Sequence, residues 1–409
     1  MKALVLCGGV PQIALLKKLK ERGIETVLAD MNEKCAAREY ADIFYPTSTL
    51  DVDGVREVAK KEEVDFLITV CADQVLQVVA EVSEDLGLPC YIDFNTAVNV
   101  SKKSYMKKIF SECGVPSSAH LVMDTLDEGA IASLRYPIIV KPVDSYSSRG
   151  VRKVFSIEEL RVAFDEAVKI SRTKTAIIEE FVEGDEITVD VYVEEGVAKI
   201  LTMSKSEKIS GNDKFVIYRT LNPAILPEKI ENEIRITAEK IAMGFGLKNS
   251  PMLIQLITDG ERISVIEFCA RTGGGIKFRL IKKVSGFDVI DAVIDLTLGN
   301  KPHFDEASVP PRKYIINEFI YCNEGVVDRL YGFDELTGEG VISEYYQLKA
   351  TGTAVGNVSS SGDRVACFTV EADTIDELKK RHARACATVH IFDKDGRDLI
   401  RRELFTLKL

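Results

Sequence analysis

Pro251-Met-Leu-Ile-Gln255-Leu-Ile-Thr-Asp259-Gly260-Glu-Arg-Ile-Ser-Val-Ile-Glu267-Phe-Cys269-Ala-Arg271-Thr-Gly-Gly-Gly275 reads as a β-hairpin that runs into a glycine turn. Two apolar runs flank Asp259-Gly260, the dipeptide best suited to a tight hairpin turn. Counting back from that turn sets Gln255 and Glu267 on adjacent antiparallel strands. An amide oxygen beside a carboxylate makes a hard oxygen site that suits Mg²⁺ bridging phosphates. Arg271 follows four residues after Glu267, and an arginine beside a metal-bound phosphate stabilises charge in phosphoryl transfer.

Two further segments carry related chemistry. In Tyr136-Pro-Ile-Ile-Val-Lys141-Pro-Val-Asp-Ser-Tyr-Ser-Ser148-Arg-Gly150-Val, a buried strand delivers a lysine and then a loop of small residues. Such loops let backbone N–H groups curl around an anion. The order is not that of a Walker loop, because the lysine precedes the turn and GxxxxGK[ST] is missing. In Ile177-Ile-Glu179-Glu180-Phe181-Val182-Glu183-Gly184-Asp185-Glu186, an acidic connection joins two strands. The second strand alternates Ile187, Val189, Val191 and Val193 with Glu186, Thr188, Asp190 and Tyr192, so one face is polar and can floor a cleft.

Taken in this order, the three segments resemble the ATP-grasp superfamily. The resemblance covers essentially the whole chain and implies α/β and α+β multidomain architecture. It implies a Rossmann-like pre-ATP-grasp domain over 1–95, nucleotide-binding subdomains over 96–304 with a lid near 117–182, and a closing C-terminal domain over 305–409. By position, Lys102 corresponds to a lysine that meets phosphates ahead of the lid, and Lys141 to the lid lysine. Ser147, Ser148 and Gly150 fall in the loop over the phosphates. Glu179, Glu180, Phe181 and Val182 fall in the adenine hinge, and Glu186 at the ribose hydroxyls. Gln255 and Glu267 take the Mg²⁺ positions, with Mn²⁺ as a substitute, and Arg271 faces the reacting carboxylate and the γ-phosphate. One position departs from the pattern: the asparagine usual two residues after the metal glutamate is Cys269, and a thiol is a poor Mg²⁺ ligand.

The implied activity is an ATP-dependent ligase that joins a small-molecule carboxylate to an amine, most resembling amino-acid ligases. An acyl phosphate intermediate and the products ADP and phosphate go with it. A non-catalytic nucleotide-binding protein on the same fold, motivated by Cys269, and a carboxylase or carbamoyl-phosphate type of enzyme are the alternatives. A homodimer is compatible with the resemblance.

The remainder of the chain sets limits. Strands alternate with helices from Ala3 to about residue 95, the mark of parallel βαβ units. Gly8-Gly9 after the first strand and Asp30 after the second suggest a dinucleotide site, but the third glycine of GxGxxG is missing. The alternative is a tight βα turn. His382, Cys386 and His390 share a helix face, yet zinc needs three or four converging ligands and nothing near completes the set. A net charge of −11 and a pI near 5.2 argue against a nucleic-acid or anionic-membrane surface. No apolar run approaches the ~20 residues of a membrane span, and Ala3 to Cys7 is too short for a signal-peptide core. Nine dispersed cysteines without a CxxC pair fit reduced thiols. The expected address is the cytoplasm.

Overall fold

The computed structural model describes residues 1–144, 150–209 and 215–407. It contains a four-stranded parallel sheet in the order Ile43–Tyr45, Glu25–Ala29, Lys2–Leu6, Phe66–Ile68. The central strand is apolar from Ala3 to Leu6 because both faces are covered. Ala3 and Val5 pack with Leu15, Leu16 and Leu19 of helix Val10–Glu21. Leu4 and Leu6 pack with helices Val52–Lys61 and Asp73–Leu86 on the other side. At the first turn Gly8 N–H donates to the Asp30 carboxylate at 2.7 Å, and a Cβ on Gly8 would lie 2.3 Å from Cys35 Sγ. Asp30, after the second strand, therefore closes the turn that follows the first, and the geometry is that of a tight βα connection.

The largest element is an eight-stranded sheet in which every pairing is antiparallel. Its order is Ile263–Cys269, Ser250–Thr258, Asp185–Glu194, Val197–Lys208, Ile217–Asn222, Tyr314–Ile320, Ala366–Ala372, Glu344–Gln347. One face of strand Asp185–Glu194 buries Ile187, Val189, Val191 and Val193 against helix Glu228–Gly244 and helix Lys103–Cys113. The other face is polar yet also buried: Glu186, Thr188, Asp190, Ser204, Ser206, Asn222 and Asn317 are all 6% exposed or less. A buried polar face is costly unless its groups find partners, so this side of the sheet is where chemistry is to be sought.

A second antiparallel sheet of four strands has the order His120–Met123, Ala176–Glu180, Ile138–Pro142, Arg152–Val154. Helix Ile157–Ile170 packs on it through Leu160, Ala163, Phe164 and Ala167.

Packing and sheet pairing cross both of the domain boundaries expected at residues 95 and 305. Leu76 and Ala80, from helix Asp73–Leu86, share a core with Ile187, Val191 and Ile254 of the large sheet. Sheet hydrogen bonding also crosses residue 305, since Arg219 to Asn222 pair with Glu318 to Ile315. All nine cysteines are free. Among the described residues no helix is long and apolar enough to cross a membrane.

The connection between the two antiparallel sheets depends on Gly184. Its φ of +149° suits glycine, and a Cβ there would lie 2.3 Å from the carbonyl oxygen of Thr258. Gly184→Ala is expected to destabilise the protein by roughly 1–3 kcal/mol through strain alone, read from the midpoint and slope of urea unfolding. An unchanged midpoint would show that this connection yields freely.

Candidate active site

Helix Lys103–Cys113 supplies two lysines one turn apart. It starts after Lys102 and stops at Gly114, whose φ of +64° gives the left-handed C-terminal cap that glycine favours. The i, i+4 spacing puts Lys103 and Lys107 on one face. Lys107 Nζ lies 3.0 Å from Glu179 in the small sheet, and Lys103 Nζ lies 3.1 Å from Glu267 in the large one. The helix therefore bridges the two sheets with one cation on each. Lys102, the lysine chosen from the sequence, is exposed at the helix start; the structure brings Lys103 and Lys107 to the cleft in its place. The missed signal was a lysine on an apolar helix face, for Met106, Lys107, Ile109 and Phe110 are all buried.

Lys141 enters from strand Ile138–Pro142 and donates to Glu179 at 2.5 Å. The register pairs Lys141 with Ile177 and Ile139 with Glu179, so Lys141 and Glu179 are diagonal neighbours on one face. All three groups of this triad are buried. Burial pushes the Glu179 carboxyl up, but Lys141 and Lys107 outweigh it and hold the group down to about 2. Burial, with the Lys141 charge beside it, lowers Lys107 despite Glu179.

Across the cleft, Gln255 and Glu267 are direct cross-strand partners. The Gln255 amide nitrogen donates to Glu186 at 3.2 Å, which leaves its oxygen for a cation. Lys103, with Lys141 behind it, keeps Glu267 below its ordinary range against the effect of burial. Glu186 is buried between Gln255 and Lys208. In this state its carboxylate is engaged with protein groups.

Arg271 extends from the end of strand Ile263–Cys269 towards helix Asp73–Leu86. Its Nε donates to Asp73 Oδ1 at 2.6 Å, its Nη2 donates to Asp73 Oδ2, and its Nη1 donates to the Thr272 carbonyl at 2.7 Å. The bidentate grip expected on a substrate carboxylate is thus already made with Asp73. A guanidinium has five N–H donors, so two are left for a ligand. Burial works against the charge on Asp73, but Arg271 outweighs it and holds the carboxyl below its usual range. Burial, reinforced by Asp73 and Glu267, pushes the Cys269 thiol well up, so it is a neutral S–H at physiological pH. Asp73, at the first residue of its helix, carried no motif that marked it in the sequence.

The hinge alternates. Glu179 faces inward to the lysines, while Glu180 faces outward to Arg135, whose Nη2 lies at 3.0 Å. The ring of Phe181 lies 3.5 Å from Lys153 Nζ, and Val182 is half-buried. Gly150 adopts φ +75°, while Ser147 and Ser148 fall outside the described residues. His382, Cys386 and His390 do not share a helix face, because the helix Ile375–Thr388 ends before His390, which begins the strand His390–Phe392, and among the described residues they form no metal site. His382 pairs with Glu318 at 2.8 Å, and His390 pairs with Asp398 at 3.0 Å.

Four cations, Lys103, Lys107, Lys141 and Arg271, are therefore each tied to a carboxylate, Glu267, Glu179 or Asp73. Charge-balanced positive groups of this kind are preorganised for a polyphosphate that can replace the carboxylates. If so, Glu179 is a structural counter-ion, and Glu179→Gln leaves two buried lysines uncompensated. The expected loss is roughly 3–5 kcal/mol by urea unfolding at pH 7, partly restored by ATP and Mg²⁺. Because the folded carboxyl is held down to about 2, this stability is full above the ordinary value of 4.5 and is lost as pH falls towards about 2. A variant as stable as the parent would contradict this.

Two family models and several proteins of known structure are similar to this chain. Residues 134–279 match the ATP-grasp domain, and residues 318–392 match the L-amino acid ligase C-terminal domain 2. A mitochondrial carbamoyl-phosphate synthase [ammonia] from Aquarana catesbeiana is 22% identical over 86% of this chain and 23% of that protein. The chain spans 23% to 31% of the first carbamoyl-phosphate synthases it matches. The L-amino acid ligase from Bacillus licheniformis superposes with a TM-score of 0.82 at 19% identity, covering 96% of this chain and 98% of that one. The biotin carboxylase domain dimer of Hydrogenobacter thermophilus 2-oxoglutarate carboxylase, solved with MgADP, ADP and bicarbonate, gives 0.79 at 18% identity, covering 100% and 99%. By sequence match and by shape, this chain carries an ATP-grasp domain followed by an L-amino acid ligase C-terminal domain 2.

Proposed function

We propose that the chain is an ATP-dependent carboxylate–amine ligase that joins an amino acid or related carboxylate to an amine. The observation that carries this is the convergence of Lys103, Lys107, Lys141 and Arg271 with the oxygen pair of Gln255 and Glu267. The three-part division at residues 95 and 305, a cytoplasmic address and a homodimer belong to the same proposal. The match at 318–392 favours amino acids over the carbamoyl-phosphate alternative.

The residues fit ATP with Mg²⁺. Among the described residues no group of three or more His, Cys, Asp or Glu side chains forms a metal cage. That suits Mg²⁺, which keeps several waters and binds through one or two protein oxygens plus substrate phosphates. Glu267 and the Gln255 oxygen would be those ligands, and Cys269, a neutral thiol, would add none.

When bound, ATP with Mg²⁺ supplies the phosphoryl group that turns a carboxylate oxygen into a good leaving group. Lys107 and Lys141 exchange Glu179 for phosphate oxygens and neutralise them. Arg271, fixed by Asp73, offers its two remaining N–H groups where the carboxylate and the transferring phosphoryl group meet. The carboxylate oxygen bonds to the γ-phosphorus, the bridging P–O bond breaks, and ADP leaves. The amine nitrogen then bonds to the acyl carbon, the C–O bond to phosphate breaks, and the amine proton ends on the phosphate.

With ATP, Mg²⁺, a mixture of the twenty L-amino acids and hydroxylamine, the products are expected to be ADP, phosphate and acyl hydroxamate. Lys141→Ala is expected to abolish hydroxamate formation, since each charge-assisted bond to phosphate contributes about 1.5–3 kcal/mol and more where water is excluded. AMP and pyrophosphate as products would overturn the mechanism. Cys269→Asn restores an oxygen donor beside the metal pair and is expected to lower the Mg²⁺ concentration for half-maximal rate. Loss of all activity in that variant would instead assign the thiol a specific role.

A further inference from the structure

Beyond the cation cluster, two buried polar atoms lie beside the glycine loop without a hydrogen-bond partner among the described residues. They are Asp190 Oδ1 and Thr272 Oγ1. Asp190 is 2% exposed and Thr272 3%. Two orphan oxygens on one loop and the strand beneath it are a costly coincidence unless a ligand satisfies them.

The surroundings say what that ligand offers. Asp190 Oδ2 is held by Lys277 Nζ at 2.9 Å, and Lys277 also donates to Ser204 at 3.2 Å. Asn222 donates to the same Ser204 hydroxyl at 3.2 Å. One carboxylate oxygen is therefore fixed by a built network, and the other points at Gly273. A Cβ on Gly273 would lie 3.2 Å from Oδ1, so the glycine lets the loop pass close over this oxygen without a side chain crowding it. A carboxylate oxygen accepts only, so its partner must be a donor. Lys277 already neutralises the charge of Asp190, and a second cation alongside would be repelled. The partner is a neutral N–H or O–H donor.

Its place relative to the chemistry follows from the sheet. Leu253 pairs with Asp190 on one side and with Cys269 on the other. Asp190 and Cys269 thus share one row across the sheet, two strands or about 10 Å apart. Arg271 and Thr272 lead the glycine loop across that gap. A carboxylate held at Arg271 has the Gln255–Glu267 row on one side and Asp190 on the other.

We propose that Asp190 is the seat of the nucleophilic amine, accepting an N–H of its neutral form while the Thr272 hydroxyl makes a second hydrogen bond. Lys277, by cancelling the charge of Asp190, removes the pull that would hold the bound amine as an ammonium and leaves its neutral, nucleophilic form. The proposal rests on the ligase reading above and names its acceptor site.

The test uses hydroxylamine, a neutral amine near pH 7, with ATP, Mg²⁺ and the mixture of twenty L-amino acids. Asp190→Asn, which presents an N–H or a weaker acceptor, is expected to raise the KM for hydroxylamine roughly ten- to hundredfold. The KM values for ATP and for the amino-acid mixture are expected to change less than twofold. If the single variant does not fold, Asp190→Asn combined with Lys277→Met removes both buried charges and is expected to show the same split. An unchanged hydroxylamine KM, or an increase confined to the amino-acid KM, overturns the assignment while leaving the ligase reading intact. A parent enzyme that forms neither ADP nor hydroxamate sinks both.

Discussion

A single buried carboxylate sets the form of the site. Glu179 stands between Lys107 and Lys141, and all three groups are out of water. An isolated buried ammonium is too costly to keep charged, and two side by side are costlier still. The triad is stable because the carboxylate compensates both cations. This constraint fixes helix Lys103–Cys113 against the small sheet and orders strand Ile138–Pro142 beside strand Ala176–Glu180. Lys103 and Glu267 repeat the arrangement on the large sheet, and Arg271 and Asp73 repeat it on helix Asp73–Leu86.

On the ligase function proposed above, the repetition has a functional meaning. Cations that serve a polyphosphate must be in place before it arrives, since moving them costs rotamer freedom. A carboxylate on each keeps the free protein folded and the positive charge aimed at one cleft. Each is also an oxyanion, so a phosphate can take over its hydrogen bonds without new geometry. The price is competition, for the ligand must displace internal partners. That trade moderates affinity and reserves the strongest stabilisation for the phosphoryl group in flight.

Much of the fold was legible from period alone. The alternation around strand Asp185–Glu194, the Asp259-Gly260 turn and the apolar runs in the first 95 residues each report a local rule. Counting across that turn puts Gln255 and Glu267 on adjacent strands, but their direct pairing depends on a register shift between Gln255 and Leu256 that the count does not give. Side-chain partnerships between distant segments were not legible, because nothing local encodes them. Asp73 and Arg271 are 198 residues apart, and Asp190 and Lys277 are 87 apart. Lys102 was preferred over Lys103 because adjacent lysines look alike in a sequence. They differ by about 100° around a helix axis, and that rotation separates solvent from cleft. Asp30 was similarly ambiguous until its carboxylate was seen on the Gly8 amide.

The most direct measurement requires no knowledge of the substrates. Calorimetric titration with ATP and Mg²⁺ reports binding alone, separate from turnover. The account predicts that the parent protein binds, that Lys107→Met and Lys141→Met each weaken binding tenfold or more, and that Lys102→Met binds like the parent. Binding that is insensitive to Lys107, or as sensitive to Lys102 as to Lys107, would contradict the account of the cleft.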